Sequence, residues 1–231
     1  DYWGNSFIKG AKTFFNDQKT GFVDGTGAWN STGEERYNAG YAYAKANLST
    51  ITEGIVEGET VKIVSHSMGA AYSEGMVKYL QEQNVAVEQV VHLSAADPSG
   101  FSANSSNTLQ LNLENDIVLG YKNIGENNMI QGVTRFGEVD TDRGYFSDLT
   151  SSHADTKFKS NVWNMVSDLQ NIEMCIQGNT FSTPFKTFTG PSNVYNSSGN
   201  SNDTQFNLLN IGGTEYEGTG TNDEYKGPLR Y

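Results

Sequence analysis

Val61-Lys62-Ile63-Val64-Ser65-His66-Ser67-Met68-Gly69-Ala70-Ala71 joins two opposite backbone preferences within eleven residues. The run from Thr60 to Ser65 is rich in β-branched residues and reads as a buried strand. From Ala70 onward the apolar residues Ala71, Met76, Val77 and Leu80 recur at helical spacing, and Asn84 is a natural stop. The junction has the form small-x-Ser-x-Gly. A serine on so tight a strand-to-helix turn is crowded from both sides, so the residues two before and two after it should be small. Gly69 meets that need, and so does Ser65, where glycine is commoner. The turn would lift the Ser67 hydroxyl above the sheet. It would also aim the Met68 N–H, at the positive end of the following helix, into an oxyanion hole. Five matching residues alone are common in a serine-rich chain; a strand before them and a helix after them make the pattern specific.

The flanking sequence repeats the same alternation. Helical spacing runs from about Asn5 to Gln18, and Thr20–Val23 reads as a short strand ending at the turn Asp24-Gly25-Thr26-Gly27. Thr32-Gly33-Glu34-Glu35 opens a helix with carboxylates in its first turn, running to Leu48. Val87–Leu93 and Thr108–Leu113 are further strands, Ile130–Phe136 a weaker one, and Phe158–Ile172 a last helix. Strands alternating with helices predict an α/β fold: a mostly parallel sheet flanked by helices. Residues 1–177 form the expected catalytic domain. From 178 to 231 glycine, asparagine, serine and threonine dominate, predicting a loop-rich C-terminal extension with a few short strands.

The 231 residues suit one α/β domain. A net charge of −12 makes nucleic acid a poor partner and anionic membranes repulsive, so contact with a membrane surface would need apolar side chains. No stretch is long and apolar enough for a transmembrane segment. Cys175 is the sole cysteine, which excludes an internal disulfide and a cysteine-type zinc site. No metal or organic cofactor is expected. The chain starts at Asp1 without a signal peptide, which suggests a processed fragment of a larger protein.

Serine needs a base, and three histidines are available. His66 is inside the turn, with its side chain directed away from the required position. His92 lies in an apolar strand, where a satisfied core histidine is the better reading. His153, in the polar loop Thr150-Ser151-Ser152-His153-Ala154-Asp155, is the candidate base. Asp97, after the strand that follows the turn's helix, and Asp116, after the next strand, both suit the triad acid. A turn or helix cap would equally explain either. Gly25 or Thr26 would supply the second oxyanion N–H beside that of Met68.

Ser65-His66-Ser67-Met68-Gly69 resembles the His-Ser-x-Gly turn of α/β-hydrolase lipases and esterases. Asn115-Asp116-Ile117-Val118 resembles the acid-bearing Asp-x-Val of class 3-type lipases, and Ala96-Asp97-Pro98 the Asp-Pro of pancreatic-type lipases. The longer stretch Lys62–Leu93 is similar to lipase-like domains at the C-termini of bacterial RHS-repeat proteins. In those, a histidine precedes a tryptophan-bearing helix, matched here by His153 and Val162-Trp163-Asn164. The resemblance covers roughly residues 20–170 and favours Asp116 over Asp97. It implies a serine esterase or lipase acting on a lipid or phospholipid ester. It also implies a toxin or effector that is secreted or delivered into target cells, with a carrier or immunity protein as partner. Amide hydrolysis or acyl transfer by the same triad, and a catalytically inactive binding domain, are the competing readings.

Overall fold

The computed structural model describes residues 2–25, 30–113, 129–140, 162–171, 176–177, 180–181, 185–189, 204–210 and 215–220. In chain order its helices and strands are α1 (Asn5–Phe14), α2 (Gly33–Ala46), α3 (Leu48–Ile51), β1 (Val61–His66), α4 (Gly69–Glu82), β2 (Val87–Leu93), β3 (Thr108–Leu113), β4 (Arg135–Asp140) and α5 (Val162–Gln170). Five strands follow: β5 (Ile176–Gln177), β6 (Thr180–Phe181), β7 (Phe185–Thr189), β8 (Thr204–Asn210) and β9 (Glu215–Gly220). The chain divides into two compact units, one of residues 19–110 and 118–134, the other of residues 1–18, 111–117 and 135–231.

The first unit is built on the crossover β1–α4–β2. β1 and β2 pair in parallel, with Ser65 beside His92 and His66 beside Leu93. A parallel pair needs a crossover connection, and α4 provides it. β3 runs along the other edge of β2. The core here is Ala70, Ala71, Val77 and Leu80 from α4 with Val90, Val91 and Leu93 from β2, all fully buried. The paired valines of β2, Val90 and Val91, follow from that burial.

α2 begins with a capping box. The Glu35 N–H donates to Thr32 Oγ1 at 3.1 Å, and the Thr32 N–H donates to Glu35 Oε2 at 2.8 Å. α4 ends where expected: Asn84 is left-handed at φ 60°, and the Val85 N–H reaches back to the Leu80 carbonyl at 2.9 Å. The two helices pack backbone to backbone. A Cβ at Gly40 would lie 1.8 Å from the Tyr72 carbonyl oxygen, and one at Gly75 would lie 1.9 Å from that of Tyr37.

Two sequence expectations in this unit need correction. Thr20–Val23 is not a strand. Phe22 and Val23 are 63% and 42% exposed, and the segment is held instead by Lys19 Nζ, which donates to the Gly54 carbonyl at 2.9 Å and pairs with Glu59 at 3.0 Å. Strand preference is chiefly a packing preference, and this run has no packed face. The strand expected over Ile130–Phe136 begins only at Arg135. Ile130 is fully buried, but its N–H donates to the side chain of Gln110 at 2.8 Å, and Gly132 at φ 87° turns the chain before pairing begins.

In the second unit α1 packs on α5 around Trp163. The rings of Phe7, Phe14 and Phe15 lie 5.0, 5.1 and 5.5 Å from it, and its Nε1–H donates to the Phe7 carbonyl at 2.9 Å. α1 stops at Phe14 rather than Gln18, with Asn16 left-handed just beyond. β4 pairs in parallel with β7, β7 antiparallel with β8, and β8 antiparallel with β9. Much of the polar C-terminal region thus enters a sheet through backbone pairing. Helices alternating with parallel strands make this an α/β protein. No helix among the described residues is long and apolar enough to cross a membrane.

Candidate functional site

Ser67 joins β1 to α4 in the left-handed region, at φ 55°. For a residue with a Cβ this costs about 1–2 kcal/mol, so the surroundings must impose it. The Ser67 N–H donates to the Leu93 carbonyl at 3.1 Å, and its own carbonyl accepts from Ala70 N–H at 3.1 Å and Ala96 N–H at 3.2 Å. The turn is therefore tied to its own helix and to the chain leaving the neighbouring strand. That chain is strained too, with Ser94 at φ 47° and Asp97 at φ 52°. Among the described residues, the other two non-glycine residues of this kind, Asn16 and Asn84, follow helix ends, where asparagine commonly takes this conformation. Backbone strain beyond ordinary helix ends thus gathers where β1 and β2 finish.

The residues around Ser67 only partly obey the crowding rule. A Cβ at Gly69 would lie 3.9 Å from the Ser65 Cβ, an ordinary contact, so alanine would fit there. Met68 directly precedes α4, at the positive end of the helix, where the Ala70 N–H is already taken by the Ser67 carbonyl. Gly25 lies against the first turn of the same helix, where a Cβ would come within 3.1 Å of the Tyr72 ring. Thr26 lies outside the described residues, as do Asp116, His153 and Cys175.

Asp97 is occupied structurally. Its Oδ2 accepts the Gly33 N–H at 2.8 Å, capping α2 from a distant part of the chain, and its carbonyl accepts from Gly100 N–H at 3.0 Å. The nearby Arg36 is 4% exposed and folds back on Ser31, to whose Oγ its Nε–H donates at 2.9 Å. Burial holds its guanidinium below the usual arginine range, against the opposing pull of the Asp97 and Glu35 charges. A cap and a triad acid respond differently to one substitution. Asp97→Asn keeps an acceptor for Gly33 and is expected to leave ester turnover within a few-fold of the parent. Asp97→Ala is expected to lower stability by about 1–2 kcal/mol in a denaturant titration. A loss of about 10⁴ in kcat for the asparagine variant would instead mark Asp97 as the acid.

His66 is buried, and strand alternation puts it on the face of β1 opposite Ser65. His92 is completely enclosed. Its Nδ1 lies 2.7 Å from Ser65 Oγ and its Nε2 lies 2.8 Å from Glu74 Oε1. Glu74, also completely buried, accepts at Oε2 from the backbone N–H of Asn104 at 2.7 Å and from its Nδ2 at 3.1 Å. Serine, histidine and glutamate are thus in line, but with Ser65 6% exposed and the other two at 0% no substrate reaches them. His92 is the satisfied core histidine expected from its strand.

Glu74 and Asn104 were not singled out by sequence reasoning. A signal for Glu74 existed: it lies on the same side of α4 as Ala70 and Val77, where a carboxylate must find a buried partner, and His92 is the matching misfit in β2. Among the described residues no group of three or more histidine, cysteine, aspartate or glutamate side chains is placed to hold a metal ion.

The strand–serine–helix turn and the parallel crossover that carries it define an α/β protein with a strained serine at the end of its sheet. Compared with protein-family models, curated proteins and solved structures, the chain matches none of them significantly.

Proposed function

We propose that this chain is a serine hydrolase of the α/β-hydrolase type that cleaves carboxylic esters, with a lipid or phospholipid as substrate. The observation that carries this reading is Ser67 held at φ 55° between a parallel strand and the helix after it. A nucleophile lifted clear of the sheet on a strand-to-helix turn is expected to bear such strain. His92 is fully enclosed and bonded at both ring nitrogens, which supports taking the base from His153, oriented by Asp116.

In this mechanism His153 takes the Ser67 hydroxyl proton as Oγ attacks the ester carbonyl. The oxyanion is met by the Met68 N–H and by one from Gly25 or Thr26. His153 then returns the proton to the leaving alkoxide, and water, activated by the same base, releases the acid from the acyl-enzyme. Delivery as an effector with a carrier or immunity partner is proposed on the family resemblance alone.

A fluorophosphonate probe tests the reading. Ser67 is expected to be labelled in the folded protein, and phospholipid and glyceride esters are expected to be hydrolysed in preference to amides of the same acyl chains. Folded protein that leaves Ser67 unlabelled would exclude a serine hydrolase. Labelling with turnover of amides alone would move the chemistry to an amidase.

A further inference from the structure

Ser65 occupies the small position before the candidate nucleophile, where glycine would suffice sterically. The hydroxyl it carries instead is engaged. In the parallel register Ser65 lies beside His92, so both side chains leave the sheet on one face. α4 covers that face and contributes Glu74. Glu74 in turn takes both hydrogen bonds from Asn104, whose Nδ2 also reaches the Glu74 carbonyl at 3.1 Å. Each ring nitrogen of His92 thus has one hydrogen-bond partner, Ser65 Oγ at Nδ1 and Glu74 Oε1 at Nε2. No polar atom of the chain Ser65–His92–Glu74 lacks a partner.

We infer that this Ser65–His92–Glu74–Asn104 relay, buried from Ser65 to Glu74, is a positioning device for Ser67. It clamps both ends of the turn. Ser65 fixes the strand two residues before Ser67, and Glu74 fixes the helix seven residues after it. Both are fastened to His92, whose neighbour Leu93 accepts the Ser67 N–H. The strained turn cannot relax toward an ordinary φ unless the strand end slides relative to β2 or the helix lifts from it, and either motion breaks a buried hydrogen bond. Such bonds are expensive to leave unmade away from water, so the relay converts burial into backbone geometry. The role in reactivity rests on the hydrolase reading above; the role in holding the turn does not.

Ser65→Ala removes one oxygen and little else, and Ser65→Thr restores a hydroxyl on a β-branched residue suited to a strand. Two readouts separate positioning from general stability. In hydrogen exchange, Ser65→Ala is expected to speed the amides of Ser67, Ala70 and Ala96 by about tenfold, the equivalent of one buried hydrogen bond. The α2 amide of Arg36, which bonds to Thr32 at 3.1 Å, should stay at the parent rate. The rate of fluorophosphonate labelling per folded molecule should fall by a similar factor, and Ser65→Thr should recover both. Parent-like exchange at Ser67, Ala70 and Ala96 would overturn the inference. So would equal acceleration of α2, which would mean only global destabilisation. If the parent protein itself is not labelled, the hydrolase reading fails, and exchange alone decides whether the relay holds the turn.

Discussion

Ser67→Gly is expected to give a protein that is more stable than its parent and hydrolytically dead. Glycine adopts φ 55° freely, so the substitution removes about 1–2 kcal/mol of native-state strain. The greater freedom of glycine in the unfolded chain takes back about 0.4–1 kcal/mol. The net gain is then about 0–1.6 kcal/mol, and a mid-range gain of about 1 kcal/mol raises Tm by about 2–4 °C for a chain of this size. Losing the nucleophile should lower kcat by about 10⁴ or more, because the remaining groups act as a unit with it. Thermal unfolding and ester turnover on the same preparation check both halves. Gain of stability with loss of activity is what a functionally strained residue produces. A variant that loses stability would show that the Ser67 hydroxyl, rather than its position, matters to the fold. One that keeps more than about a hundredth of parent activity would remove Ser67 from the mechanism.

The largest loss of stability is expected at the contact of α2 with α4. Gly40→Ala and Gly75→Ala would each drive a methyl group into a backbone carbonyl, at 1.8 and 1.9 Å. A flexible side chain could swing away, but a backbone carbonyl moves only with its helix. Relief requires α2 and α4 to separate, which uncovers the buried Ala44, Ala70, Ala71 and Val77. We expect each variant to lose about 3 kcal/mol or more, from overpacking and lost burial together. Against a total stability of about 5–15 kcal/mol this is a large fraction, and the double variant should not fold. Urea unfolding monitored by circular dichroism measures it. Gly69→Ala, with its nearest side-chain contact at 3.9 Å, is the matched control and should fold normally.

The parts of the molecule legible in the sequence share one property: their structure is determined within a few consecutive residues. β1 and β2 are legible from their β-branched residues, Val61, Ile63 and Val64 in one and Val87, Val90 and Val91 in the other, even though β1 is half-buried up to Val64 and β2 is buried only from Gln89 to Leu93. α2 announces itself by the Thr32–Glu35 capping box and α4 ends at Glu82, just before the left-handed Asn84, because caps are local hydrogen-bond arrangements. The strand–Ser67–helix turn is legible for the same reason, since sterics and the change of periodicity all fall between Val61 and Leu80.

Where the reading went astray, the deciding partner lies far along the chain. Thr20–Val23 has strand-forming residues but no packed face, and it is held by Lys19 reaching Gly54 and Glu59. Ile130 looked like the start of a strand, yet its N–H goes to the side chain of Gln110. The helix cap that the sequence offers as the other explanation of Asp97, the alternative to Asp116, likewise has a distant partner: its carboxylate accepts from the start of a helix 64 residues earlier. The relay beneath Ser67 draws Ser65, Glu74, His92 and Asn104 from a strand, a helix, a second strand and a loop.

For Ser67, the sequence by itself determined which residue stands at the end of the sheet and which elements flank it. Only the tertiary structure decided that its backbone is held left-handed, because that requires Leu93 and Ala96 to bind it and a buried His92 to brace both its ends. Local preferences are written in neighbouring side chains, whereas strain persists only where distant groups, brought together by folding, oppose its release.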